Sequence, residues 1–161
     1  MSRTATRLGV ATTALALIGL GLSIYLTVEH YSAKPSYACP TNSVVDCVKV
    51  TSSSYSTFLG VPVAVAGVVY FVIALALYLP AAWRSPSIWL TRARWTCAGI
   101  GMVSVFWLIY GELDVGAICL YCTGVHVVTF ALLVLTAIGS VVLVPAEVES
   151  GDEAVGDLVG S

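Results

Sequence analysis

Four stretches of this chain are long, apolar and almost free of charge, and they leave it few ways to fold. They run from Leu8 to Val28, about Leu59 to Trp83, about Trp95 to Gly111 and about Ile118 to Val144. A helix needs roughly 20 apolar residues to cross a bilayer. In hydrocarbon every backbone N–H and C=O must be bonded within its own segment, so such stretches form helices. The expectation is an all-α membrane protein, a four-transmembrane-helix bundle. Composition agrees: 58% of residues are hydrophobic and 10% charged, where a soluble domain carries about 25% charged residues. No polar domain follows the first apolar stretch, so it reads as a span and not a cleaved leader. A net charge of −2 argues against nucleic acid as a partner. The length suits one membrane domain over residues 1–146. The remainder, 147–161, has five acids and no base and reads as a disordered cytoplasmic tail.

Positive charge orients such a bundle, because basic loops stay in the cytoplasm. Arg3 and Arg7 precede the first span, and Arg84, Arg92 and Arg94 lie between the second and third. Only Lys34 and Lys49 lie in the loop from Glu29 to Phe58. Both termini are therefore expected on the cytoplasmic side of the membrane. The long loop and the link from Glu112 to Ala117 are expected outside.

This topology sorts the five cysteines. Cys39 and Cys47 fall in the outer loop, and Cys119 and Cys122 at the outer start of the fourth span. Cys97 falls at the inner end of the third span, about 25 Å from the outer face, and reads as a small packing residue. The outer four lie where disulfides persist. They are compatible with structural staples and, in principle, with a zinc site. The C-x-x-C of Cys119-Leu120-Tyr121-Cys122, with a second pair on the same face, favours redox exchange instead. Amides at a helix start favour the reactive thiolate. On a helix with Cys119 at 0°, Cys122 falls at about −60°, His126 at about −20° and Phe130 at about +20°. Two thiols, an imidazole and an aromatic ring in one stripe suit a docked quinone. His126 would donate a hydrogen bond or proton to its carbonyl, though a helix-to-helix hydrogen bond also explains an intramembrane histidine. In the outer loop, Pro35 and Pro40 favour extended chain. Asp46 is placed to cap a short helix through about Val50 that carries Cys47, a lid over the bundle.

The chain resembles the vitamin K epoxide reductase family, in its bacterial form without a fused thioredoxin-like domain. The resemblance rests on Cys39 and Cys47, Ser53, the run Ser56-Thr57-Phe58-Leu59-Gly60-Val61-Pro62, Gly67 with Tyr70, and the C-x-x-C at 119–122, and spans about Arg7 to Val144. It implies four helices around a quinone, menaquinone or ubiquinone, capped by the outer-loop helix. It also implies a relay. An extracytoplasmic thioredoxin-like thiol oxidase gives electrons to Cys39. The Cys39–Cys47 pair passes them to Cys119, and Cys122, nearest the quinone, reduces it. Ser53 supports the reactive sulfurs. His126 stands where animal enzymes have tyrosine, and Val63 nearest to where they have asparagine. A disulfide-forming role is thus the better reading. Its rivals are a quinone or quinone-epoxide reductase serving a quinone-dependent enzyme, and a structural or transport protein with stapled loops. The lack of charge in the spans weakens the last.

Overall fold

The computed structural model describes residues 3–32, 38–39, 42–85 and 87–159, with side chains described as far as residue 142. Lys34, Pro35 and Pro40 lie outside the described residues. The elements in order are α1 (Arg3–Tyr31), α2 (Cys47–Thr51), a 3-10 turn (Ser54–Ser56), β1 (Thr57–Phe58), β2 (Val61–Pro62), α3 (Val63–Tyr78), α4 (Pro80–Arg84), α5 (Ile88–Val115) and α6 (Leu120–Val159). Among the described residues, three helices are long and apolar enough to cross a membrane: α1, α5 and the Leu120–Val142 part of α6. This is a mostly helical, multi-pass membrane protein. α1 packs on α3, α4 and α6, and α5 packs on α3 and α6.

The second expected span is shorter than its apolar run. At its start, Leu59 and Gly60 adopt positive φ, 51° and 82°. They form the two-residue turn of a hairpin in which Thr57 pairs with Pro62 and Phe58 with Val61. At its end, Leu79 is extended (ψ 146°) because the ring of Pro80 excludes a helical residue before it. That leaves α3 with 16 residues, about 24 Å of helix.

Breaking a helix inside an apolar protein frees carbonyls that must find donors. Thr12 and Thr13 donate their hydroxyls to Tyr78 O at 3.2 and 3.0 Å. Arg94 donates Nε to Leu77 O at 3.0 Å and Nη2 to Ala82 O at 2.6 Å, with its guanidinium 4.1 Å over the Trp83 ring. Arg92 and Arg94, expected in a loop between spans, are thus residues of α5, and Arg94 is buried. Small residues permit close approaches between the helices. A Cβ on Gly19 would overlap the Phe71 ring, and one on Gly101 would overlap the Tyr70 hydroxyl. α6 keeps a helical backbone to Val159.

Candidate functional site

Cys39, Cys47, Cys119 and Cys122 meet at one end of the bundle. Cys39 and Cys47 form a disulfide with Cα atoms 6.3 Å apart. Cys119 and Cys122 are free thiols. All four belong to one apolar cluster with Leu26, Val50, Ala64, Tyr121 and Val125.

Local sequence explains the alignment. Asp46 caps α2, its Oδ1 accepting the Lys49 amide at 2.9 Å, and so presents Cys47 at the first helical position. The strand-like segment before α2 lies against the residue before Cys119: the Ile118 amide donates to Val44 O at 2.9 Å, and the Asp46 amide to Ile118 O at 3.2 Å. Backbone bonds thereby hold Cys47 and Cys119 in register. Cys39 is held from its neighbour. The Ala38 amide donates to the Tyr25 hydroxyl at 3.2 Å, and the Tyr121 hydroxyl donates to Ala38 O at 3.0 Å. Tyr25 and Tyr121 themselves pack with ring centroids 4.7 Å apart.

Cys119 occupies the N-cap of α6. Its carbonyl accepts the Thr123 amide at 2.9 Å, and its Sγ accepts the Cys122 amide at 3.4 Å, the bond a serine or aspartate oxygen makes at other helix starts. The Cys119 thiol is held below the ordinary thiol range. The Cys122 side-chain hydrogen bond is the main cause and the amides of Cys122 and Tyr121 add to it; burial and the nearby Glu112 charge oppose it.

Below this cluster lies a mostly apolar cavity of about 240 Å³, lined in part by Cys122, His126, Thr129, Tyr70, Ser53 and Glu112. His126 is 7% exposed. Its Nε2 and the Tyr70 hydroxyl are buried without hydrogen-bond partners among the described residues. Ser53 stands at the cavity wall, but its hydroxyl donates to Val50 O at 2.7 Å.

Phe130 is not in this wall. It is 55% exposed on the outside of the bundle. The angles explain why. The lining residues of α6, at about −60° (Cys122), −120° (Val125), −20° (His126) and −80° (Thr129), centre near −70°, some 90° from Phe130. The stripe leading inward from the thiols therefore continues through Thr129.

Glu112 is the residue that sequence reasoning missed. Expected in an outer link, it instead belongs to α5, is 9% exposed and accepts the Cys119 amide on Oε1 at 3.2 Å. The one signal in the sequence is an acid at the end of an apolar run seven residues before a C-x-x-C. Cys97 is buried and free, away from the cluster and next to the Tyr70 hydroxyl.

No curated protein matches this chain. Residues 10–137 match the sequence model of the Vitamin K epoxide reductase family, from the second turn of α1 to the membrane part of α6 and including all four clustered cysteines. With most of its length matched, the chain belongs to the vitamin K epoxide reductase family of membrane, quinone-linked disulfide oxidoreductases.

Proposed function

We propose that this protein reoxidises an extracytoplasmic thioredoxin-like thiol oxidase and delivers the electrons to a quinone through Cys39/Cys47 and then Cys119/Cys122. The observation that carries this reading is the graded accessibility of the four sulfurs. Cys39 is half-buried, Cys47 and Cys119 are 2% and 0% exposed, and Cys122 lines the cavity. A protein partner reaches only the first, and a docked ring meets only the last.

The cavity suits a quinone. Its wall is largely apolar, and it carries two buried polar atoms: His126 Nε2, without a hydrogen-bond partner among the described residues, and Tyr70 Oη, with only the weakly bonding Cys97 thiol beside it. Buried polar groups are costly when unpaired, and two carbonyl oxygens on one flat ring answer both. When bound, the quinone supplies a two-electron, two-proton sink. The protein's part is to hold Cys122 at the ring, to donate from His126 and Tyr70, and to hold Cys119 at the N-cap of α6 within reach of Cys122. α2 acts as a lid, through Val50 and Thr51 in the cavity wall, and Ser53 braces its end through the Val50 bond. α3, packed on α1 and α5, serves as the fourth crossing helix. Val63 lines the cavity without a donor, which favours quinone reduction over epoxide chemistry.

The test is quinone reduction by the purified protein with dithiothreitol as donor, comparing menaquinone, ubiquinone and a quinone epoxide. Removing one preorganised donor to a developing oxyanion costs roughly 10²–10³ in rate elsewhere. A partly wet quinone borrows water, so His126→Phe is expected to lose about 10-fold or more. His126→Tyr recovers part of this. A correctly folded His126→Phe protein with parental turnover would remove His126 from the site.

For orientation, the basic ends of α1 and α4 meet at the end opposite the cysteines: a Cβ on Gly9 would touch Pro80. We place that end in the cytoplasm, with both termini inside. An impermeant thiol reagent applied to intact cells after reduction is expected to label Cys39 and miss Cys97. Labelling of a terminal tag from outside reverses this orientation.

A further inference from the structure

Closing a disulfide between Cys119 and Cys122 breaks two S–H bonds. Two electrons pass to the quinone, and both protons must end on its two oxygens. Cys122 lines the cavity and can release its proton there directly, but Cys119 does not line it. Its sulfur is fully buried at the N-cap, between Cys47 and the first turn of α6. A proton leaving Cys119 therefore needs a carrier that touches residue 119, faces the cavity and is not itself losing a proton in the same step, which sets Cys122 aside although it bonds to Cys119. Glu112 meets both conditions: its Oε1 accepts the Cys119 amide, and its side chain belongs to the cavity wall. Among the described residues it is the only acid in that wall. A carboxyl is an expensive group to bury for one amide bond that a neutral amide oxygen would satisfy equally well. Its cost is explained if it also carries protons.

We propose that Glu112 carries the Cys119 proton to the cavity during quinone reduction, a role that rests on the thiol–quinone reading above. Glu112 enters the step as a carboxylate, takes the proton from the Cys119 thiol as the Cys119–Cys122 bond forms, and releases it to a quinone oxygen, ending as it began. The remaining titratable groups facing the cavity are His30 from α1, Tyr55 from the 3-10 turn, Tyr70 from α3, and Cys122 and His126 from α6. Lys49 on α2 and Asp114 on α5 lie outside the wall, Asp114 accepting the Tyr55 hydroxyl at 3.2 Å.

Three forms of the full-length protein decide the matter: parent, Glu112→Gln and Glu112→Asp, each with folding checked by thermal melting in detergent. The glutamine keeps an oxygen for the Cys119 amide but has no carboxyl to carry a proton. Glu112→Gln is expected to slow quinone reduction about 10-fold, and Glu112→Asp to recover part of the rate, with the largest gap where the carboxylate is ionised. The second readout needs no quinone: alkylation of Cys119 against pH, resolved by peptide mass spectrometry on the reduced protein. Removing a negative neighbour favours the thiolate, so the Cys119 midpoint moves to lower pH in Glu112→Gln. Parental turnover in Glu112→Gln overturns the proposal. So does a slowed enzyme whose Cys119 alkylation profile is unchanged and whose rate aspartate does not restore, since that marks a purely structural carboxyl. If Glu112→Gln fails to fold, Glu112→Asp is judged against the parent on the same two readouts. Quinone reduction that survives Cys122→Ala would overturn the thiol–quinone reading, while the alkylation shift still reports whether Glu112 and Cys119 are coupled.

Discussion

Cys122→Ala is expected to bring quinone reduction to background with every thiol donor, a loss of at least about 10³-fold. The reason is positional. Cys122 is the only one of the four clustered sulfurs in the cavity wall, and its partner Cys119 is 0% exposed and faces the Cys39–Cys47 disulfide. With Cys122 gone, Cys119 can still exchange with the outer pair but has no second thiol with which to close a disulfide at the ring. In the proposed relay dithiothreitol cannot substitute, because the missing atom is the one assigned to meet the acceptor. Cys119→Ala should fail equally, since a lone Cys122 likewise has no thiol with which to form the bond. Cys97→Ala is the control. It lies outside the cluster, and its removal should leave turnover near that of the parent. Quinone reduction by the Cys122→Ala protein at the parental rate would refute the relay.

On the proposed relay, Cys47→Ala is expected to separate reduction driven by the thioredoxin-like partner from reduction driven by dithiothreitol. Reduction driven by the protein partner should fall to background, while reduction driven by dithiothreitol should persist. Cys47, 2% exposed, is packed in the same cluster as Cys119, whereas Cys39 is the more accessible of the outer pair. Without Cys47, a partner thiol that joins Cys39 has no resolving sulfur and stays as a mixed disulfide. That trapped species can be isolated from cells and its protein identified. A small dithiol reaches the inner pair without the relay. Equal losses with both donors would mean that Cys47 supports the structure of the site and does not carry electrons.

The features that could be read from the sequence are those set within one segment. Charge-free apolar runs become helices because no other backbone arrangement satisfies itself in lipid. Asp46 announces α2 because an N-cap is a contact three residues long. The C-x-x-C marks a helix start, and the structure places Cys119 at its N-cap. Even the break of the second apolar run had local signals, Gly60 with Pro62 at one end and Pro80 at the other, which hydropathy alone passes over.

Other features depend on which segments meet. A helical wheel says that Cys122, His126 and Phe130 share a face, but not where that face is centred. The packing of α1, α3 and α5 turned it toward Thr129 and left Phe130 outside. Arg94 and Glu112 stand at the margins of an apolar run, where sequence assigns charge to loops. They are buried because the third dimension brought them partners: the carbonyls freed at Leu79–Pro80 for Arg94, and the Cys119 amide for Glu112. The sequence by itself determined that this chain is helical, belongs in a membrane and gathers two cysteine pairs at one end. Only the tertiary structure decided which sulfur lies buried, which meets the cavity and which carboxyl accepts the Cys119 amide, because burial and hydrogen bonding are relations between residues far apart in the chain.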